Sequence, residues 1–299
     1  MTAATATKPG LLQRLDGLDQ VPTIPAVLAP LLRYLPEPVA PLDVQRVTEQ
    51  ISQDKSLATQ CLQMANSPLF GHPPNVQSLR GAVMSLGFHH VSDIAMSCGV
   101  LNILPAGVNS LDPVVFWEHS LGCALVSRHI ARKINFSDPG KAYLAGLLHD
   151  LGIIVNLWVL PLEFGTAWEK GKAEGIPLHE AEQKAMGFTH CDSGRLLAER
   201  WQLAPELIEV VSCHHSPEKS SDHAGLVALV QLADLLCRMS GLNYGYVEER
   251  QVNLAEEPGF GLLGQHSTKL KDFDWARLTF ELDSYMDETH RLVRAIYRT

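Results

Sequence analysis

The chain has 299 residues, 46% hydrophobic and 19% charged, which is the composition of a folded protein with a large core, not of a disordered or repetitive one. A formal net charge of −9 argues against a sequence-independent nucleic-acid binder, which needs a basic face to displace phosphate counterions, and against docking on an anionic membrane. No window reads as an uninterrupted apolar span of bilayer length, and Met1–Gly10 reads as a disordered tail without the apolar centre of a secretory signal.

The six cysteines (Cys61, Cys98, Cys123, Cys191, Cys213 and Cys237) are widely spaced and form no Cys-x-x-Cys pair. Each falls in apolar helical sequence, so buried reduced thiols and a cytoplasmic location are expected.

Taken in chain order, the periodicity is helical and no strand is expected, so the fold class is all-α. Asp43 is a natural N-cap for a helix carrying Val44, Val47 and Ile51, and Leu57, Cys61, Leu62 and Met64 mark a second that stops near Pro68. Ser78 opens a third, closed by Gly87, and an apolar segment from about Val91 to Leu104 completes an N-terminal lobe over 11–108. Pro105–Asp112 is rich in turn residues and marks the lobe boundary.

Asp112-Pro113 and Asp138-Pro139 are helix starts, each an N-cap followed by proline at the first helical position. The first helix runs to about Ile134. The second ends near His149 and Asp150, with Gly152 as its expected terminator. Further helices are predicted near Leu162–Glu174, Leu178–Met186, Thr189–Trp201, Pro205–His214 and Asp222–Ser240, completing a second lobe over 109–240. The rest, 241–299, reads as an irregular loop over Gly241–Asp272 and an amphipathic capping helix, about Trp275–Ile296, with Leu278, Leu282, Tyr285 and Leu292 along one side.

Polar residues on apolar helical faces carry the chemical information. His119 has Val115, Phe116 and Cys123 around it, and His149-Asp150 ends a face of Ala142, Ala145 and Gly146. His190 opens a helix continued by Gly194 and Leu197, His214-His215 ends one built on Leu207, Ile208 and Val211, and Asp234 sits among Val230, Ala233 and Cys237. One buried histidine can bond a carbonyl, and Asp234 alone can cap a helix or pair with an arginine. So many in one lobe call for a shared counter-charge, and imidazole with carboxylate suits divalent Fe, Mn, Zn or Ni. His129, His179, His223 and His266 read as solvated, and His72, His89 and His90 as loop or helix-start residues.

The ordered series His119, His149-Asp150, His190, His214-His215 and Asp234 resembles the HD superfamily, and the nearest likeness, over about Leu11–Ser240, is to HDOD proteins, HD-related output domains of bacterial signalling. Val21-Pro22-Thr23-Ile24-Pro25-Ala26-Val27, Asp54-Lys55-Ser56-Leu57, Ala65-Asn66-Ser67-Pro68-Leu69-Phe70-Gly71 and Ala82-Val83-Met84-Ser85-Leu86-Gly87 resemble that family's first lobe. Trp117-Glu118-His119-Ser120, Ala145 to Gly152 and His214-His215-Ser216-Pro217 resemble its second.

The resemblance implies two helical lobes, the second an HD-type bundle in which His119, His149, Asp150, His190, His214, His215 and Asp234 are the metal ligands. It also implies a signalling module that binds a protein partner or a nucleotide-type small ligand. The alternative is a metal-dependent phosphohydrolase acting on a nucleotide or cyclic dinucleotide. The related cyclic di-GMP phosphodiesterases usually carry a lysine soon after the His-Asp pair, where this chain has Ile153, and a Gly-Tyr-Pro signature where it has Ser216-Pro217-Glu218-Lys219. Enzymatic activity is therefore not the favoured reading, and no catalytic residue is assigned. Lys133, Arg128, Lys141 and Arg195 are the cations available to replace the missing lysine.

Overall fold

The structure, a computed structural model, describes residues 44–70, 75–101, 103, 110–267, 269–270 and 273–297. The tail, the Val21–Val27 segment, Asp43, Gly71, His72 and 104–109 of the lobe connection lie outside the described residues.

Helices α1 (Val44–Gln53), α2 (Lys55–Ala65), α3 (Leu79–Leu86) and α4 (Phe88–Leu101) build the first lobe. Asp54 and Ser78 start α2 and α3 by accepting the backbone N–H of Leu57 and Gly81, at 3.0 and 3.1 Å. Asn66 ends α2 and clamps the chain beyond it, accepting from Val76 N at 2.8 Å and donating to Val76 O at 2.9 Å.

The second lobe comprises α5 (Pro113–Lys133), α6 (Pro139–Leu148), α7 (Leu151–Val159), α8 (Pro161–Glu174), α9 (Leu178–Met186), α10 (His190–Arg200), α11 (Pro205–Cys213) and α12 (Ala224–Met239). Asp112 and Asp138 cap α5 and α6 as the sequence predicts. α5 is buried on nearly every side from Phe116 to Ala131 and packs against α6 and α12, which makes it the axis of the bundle. The lobes meet where Ser97 and Tyr143 share a 2.7 Å hydrogen bond and Arg128 pairs with Asp93 at 3.1 Å.

The last helix, α14 (Trp275–Tyr297), lies on α5 and also reaches α2. It buries Leu278, Leu282 and Leu292 and leaves Tyr285 half-buried. Glu118 on α5 holds it through Arg294 (3.1 Å) and His290 (2.8 Å).

Four expectations change. Gly152 terminates nothing: it lies in α7, where a Cβ would collide with the carbonyl oxygen of His190, so glycine is what lets α7 touch the first turn of α10. Residues 241–272 are not all loop, because Pro258 starts a helix, α13 (Pro258–His266), whose glycines hid it in the sequence; Gly259 lets it settle on Gln231 and Ala228 of α12. Pro139–Val159 does reach membrane-spanning length and hydropathy, but 89% of its apolar window is buried in the protein core. Five cysteines are buried as expected, Cys213 is only half-buried, and none of the six is in a disulfide.

Candidate metal centre

Five elements deliver polar side chains to one point inside the second lobe. α5 supplies His119, the α6–α7 turn His149 and Asp150, the first turn of α10 His190, the end of α11 His214 and His215, and α12 Asp234. The capping box of Thr189 and Asp192 fixes the start of α10, and the Gly152–Gly194 contact brings that start against α7. All seven predicted residues come together; His215 is half-buried at the rim and the other six are buried.

Asp150 organises the centre. Its Oδ2 stands 3.3 Å from His149 Nε2 and 3.5 Å from His119 Nε2. Its Oδ1 stands 3.3 Å from His190 Nε2 and 3.5 Å from His214 Nε2. His119 also lies 3.4 Å from Asp234 Oδ1, and His215 Nε2 lies 3.1 Å from His190 Nε2. Each carboxylate oxygen of Asp150 therefore faces its own pair of histidines.

Outer contacts set the tautomers. His119 Nδ1 meets Leu242 O at 2.7 Å, His149 Nδ1 meets Gly146 O at 2.7 Å, and His214 Nδ1 meets Val210 O at 3.1 Å. His190 Nδ1 meets Glu182 Oε2 at 2.6 Å, and Asn156 donates to the other oxygen of Glu182 at 3.0 Å. An oxygen acceptor calls for N–H at Nδ1, so the Nε2 lone pair of each ring points inward. Yet His119 and His149 face each other Nε2 to Nε2 at 3.3 Å, and so do His190 and His214. Two lone pairs at that distance repel unless a proton or a metal cation lies between them. Among the described residues the buried Asp150 Oδ1 has no hydrogen-bond partner, and it stands beside the His190–His214 pair.

The electrostatics express the same demand for positive charge. Burial would raise the carboxyls of Asp150 and Asp234, but the neighbouring histidines hold Asp150 well below the usual carboxylate range, and Arg238 with His119 does the same for Asp234. Burial opposes charge on His190 and His214 as well. It is outweighed by the Glu182 carboxylate at His190 and by Cys191 and Asp150 at His214, which is pushed up to about 10. Burial, helped by the charges of His214 and His119, drives His149 down against the pull of Asp150, and burial with the charge of His179 does so at His215.

Several participants escaped the sequence reading. Tyr244, from the segment after α12, donates to Asp150 Oδ2 at 2.6 Å and lies 3.2 Å from His119 Nε2. Arg238 forks onto Asp234 and reaches Glu248 at 2.6 Å. His179 is stacked on His215 with ring centroids 3.9 Å apart, and His129 pairs with Glu281 at 3.1 Å, so neither is a freely solvated side chain. The four cations considered as substitutes for a lysine at Ile153 are engaged elsewhere. Arg128 pairs with Asp93, Lys133 with Glu281, Lys141 with Glu206 and Arg195 with Glu199.

Comparison with known proteins agrees with this architecture. A protein of Treponema pallidum (strain Nichols), itself uncharacterised, is 25% identical over 227 residues; the match covers 75% of this chain and 43% of that protein, so the chain spans less than half of its relative's length. The crystal structure of an HDOD domain protein of unknown function from Geobacter sulfurreducens superposes with a TM-score of 0.82 at 28% identity, covering 95% of this chain and 97% of the other. A Shewanella amazonensis SB2B protein provisionally named a phosphohydrolase (TM-score 0.72, 20% identity, 96% and 98% covered) shares the fold. So does a Marinobacter aquaeolei VT8 protein provisionally named a signal transduction protein (TM-score 0.73, 22% identity, 95% and 62% covered). The HDOD domain pattern itself matches residues 21–217, about two thirds of the sequence. With its fold and its ordered His/Asp series, the chain belongs to the HDOD family.

Proposed function

We propose that the chain is a signalling module that works by binding a protein partner or a nucleotide-type ligand, and that its second lobe holds a divalent ion, Fe, Mn, Zn or Ni, without turning over a substrate. The donor set fits such an ion. Nitrogen ligands on a tetrahedral ion stand about 3.4 Å apart, given metal–nitrogen bonds of about 2.0–2.1 Å, and the inward-facing Nε2 pairs stand at 3.1 to 3.3 Å. When bound, the ion would neutralise Asp150 and separate the facing lone pairs.

The observation that carries the non-catalytic reading is the Tyr244 hydroxyl on Asp150 Oδ2. It takes the oxygen through which a water near His119 and His149 would be activated, while Arg238 holds both oxygens of Asp234. The buried Ile153 supplies no charge for a phosphate, and phosphoryl transfer depends on positive charge around the transferring oxygens. The likeness to a protein provisionally named for signal transduction is compatible with this role.

One feature favours hydrolysis instead: Asp150 bridging two groups of histidines is the layout of a two-metal phosphohydrolase, and the Shewanella relative is provisionally named a phosphohydrolase. The two readings separate in a turnover assay of metal-loaded chain on nucleotide monoesters, diesters and cyclic dinucleotides. The signalling reading predicts rates no higher than those of Asp150→Ala. Turnover that depends on Asp150 would establish the hydrolase.

A further inference from the structure

The metal reading leaves open how many ions the centre takes and by which ligands, and the two halves of the centre differ in ways that decide it. Resting on that reading, we infer that a single ion is held by His190, His214, His215 and Asp150 Oδ1, with the sulfur of Cys191 as an additional ligand. The donor atoms of His190, Cys191, His214 and His215 all lie within 4.8 Å of one another. Cys191 Sγ stands 3.8 and 3.9 Å from the two ring nitrogens of His214. Asp150 Oδ1, the carboxylate oxygen on this side, is the one without a partner.

The other half, His119, Cys123, His149 and Asp234, is also a compact donor group, but its negative charge is already spoken for. Arg238 binds Asp234 at both oxygens, and Tyr244 binds Asp150 Oδ2. An ion entering there must compete with a buried guanidinium and a phenol, whereas an ion entering the Cys191 half meets no such donor on Asp150 Oδ1 and releases only the protons of its own ligands to solvent.

Charge balance points the same way. Three neutral imidazoles, one thiolate and one carboxylate together neutralise a divalent ion. The Asp234–Arg238 pair is balanced without one. A sulfur ligand also narrows the choice of metal, because thiolate favours zinc or iron over manganese or magnesium.

Cobalt(II) reports both points by spectroscopy, without reference to any activity. Metal-free full-length chain titrated with cobalt should bind one ion per chain and develop a near-ultraviolet sulfur-to-cobalt charge-transfer band. The band should be lost in Cys191→Ser and kept in Cys123→Ser, with helical circular dichroism unchanged in both. If Cys191→Ser does not fold, X-ray absorption at the metal edge of the wild-type chain decides whether sulfur is bound, and Cys123→Ser decides from which half.

Two ions per chain, cobalt binding without sulfur, or loss of the band in Cys123→Ser would each overturn the assignment while leaving the metal reading intact. Failure to bind cobalt at all would overturn both.

Discussion

Arg238 holds the Asp234 carboxylate on both oxygens, Nε to Oδ1 and Nη2 to Oδ2, at 2.9 Å each. The two residues are one helical turn apart on α12, and the same guanidinium continues to Glu248 at 2.6 Å, so a protein cation sits beside the centre's second carboxylate. Removing it leaves the buried Asp234 and the half-buried Glu248 without that counter-charge. Arg238→Gln should lower the unfolding free energy of the metal-free chain by about 3 kcal/mol, because breaking a buried pair strands its partner. Added zinc should recover more stability in this variant than in wild type. Denaturant titration with and without zinc measures both quantities, and equal gains in the two proteins would contradict this role for Arg238.

Tyr244 closes the same half of the centre through Asp150. Tyr244→Phe keeps the ring and removes the donor to Asp150 Oδ2, leaving that oxygen to the histidines alone. The expected loss is about 1–3 kcal/mol, typical of a buried acceptor deprived of its hydrogen bond. Thermal unfolding of the metal-free variant reads it, and an unchanged midpoint would show that the bond contributes nothing.

The crossing of α7 and α10 sets where His190 stands. Gly152→Ala places a methyl against the His190 carbonyl and Gly194, backbone that cannot swing aside. Overpacking of this kind costs about 1–3 kcal/mol, and the displacement of His190 should weaken metal binding too. Isothermal titration with zinc checks the second effect; wild-type affinity would mean that the helices separate without moving the ligand.

Away from the centre, burial lifts the Asp93 carboxyl from 3.8 to about 7, although Arg128 and Arg132 oppose it; Asp138 adds to the rise. A raised carboxyl binds its proton more tightly in the folded chain than in the unfolded one. Its contribution to stability is therefore complete below about pH 4 and falls as pH rises through about 7, by at most about 1.4 kcal/mol per pH unit. Unfolding of wild type and Asp93→Asn compared between these limits should show wild type losing ground as pH increases. Wild type gaining ground would reverse the sign and refute the shift.

The proposed ligands were legible because a charged or imidazole side chain on an apolar helical face is costly, and the cost is visible in sequence: His119 among Val115, Phe116 and Cys123 stands out without any structure. The helix starts at Asp112-Pro113 and Asp138-Pro139 were legible for a similarly local reason, since cap and proline act within one turn.

What surrounds the ligands was less legible. Arg238, four residues after Asp234, resembles any i,i+4 surface pair, and only the fold shows it to be nearly buried. Tyr244 reaches Asp150 from 94 residues further along the chain, and nothing in its own neighbourhood signals that. Glu182 likewise looks like a solvated helical residue until His190 is packed on it. Cys191 gave one usable signal, adjacency to His190, but a thiol in apolar helical sequence reads first as core. Gly152 misled because a glycine required by close contact and a glycine that ends a helix look the same in one sequence.

The claim on which the rest depends is that the second lobe holds a divalent ion on Asp150 and its histidines. Elemental analysis of the full chain, purified without an affinity metal and then reconstituted, tests it most directly, with Asp150→Ala alongside. The account predicts stoichiometric metal in wild type and its loss in the variant, with the helical content of both unchanged. Wild-type chain that stays metal-free after reconstitution, or Asp150→Ala that binds as much as wild type, would contradict it.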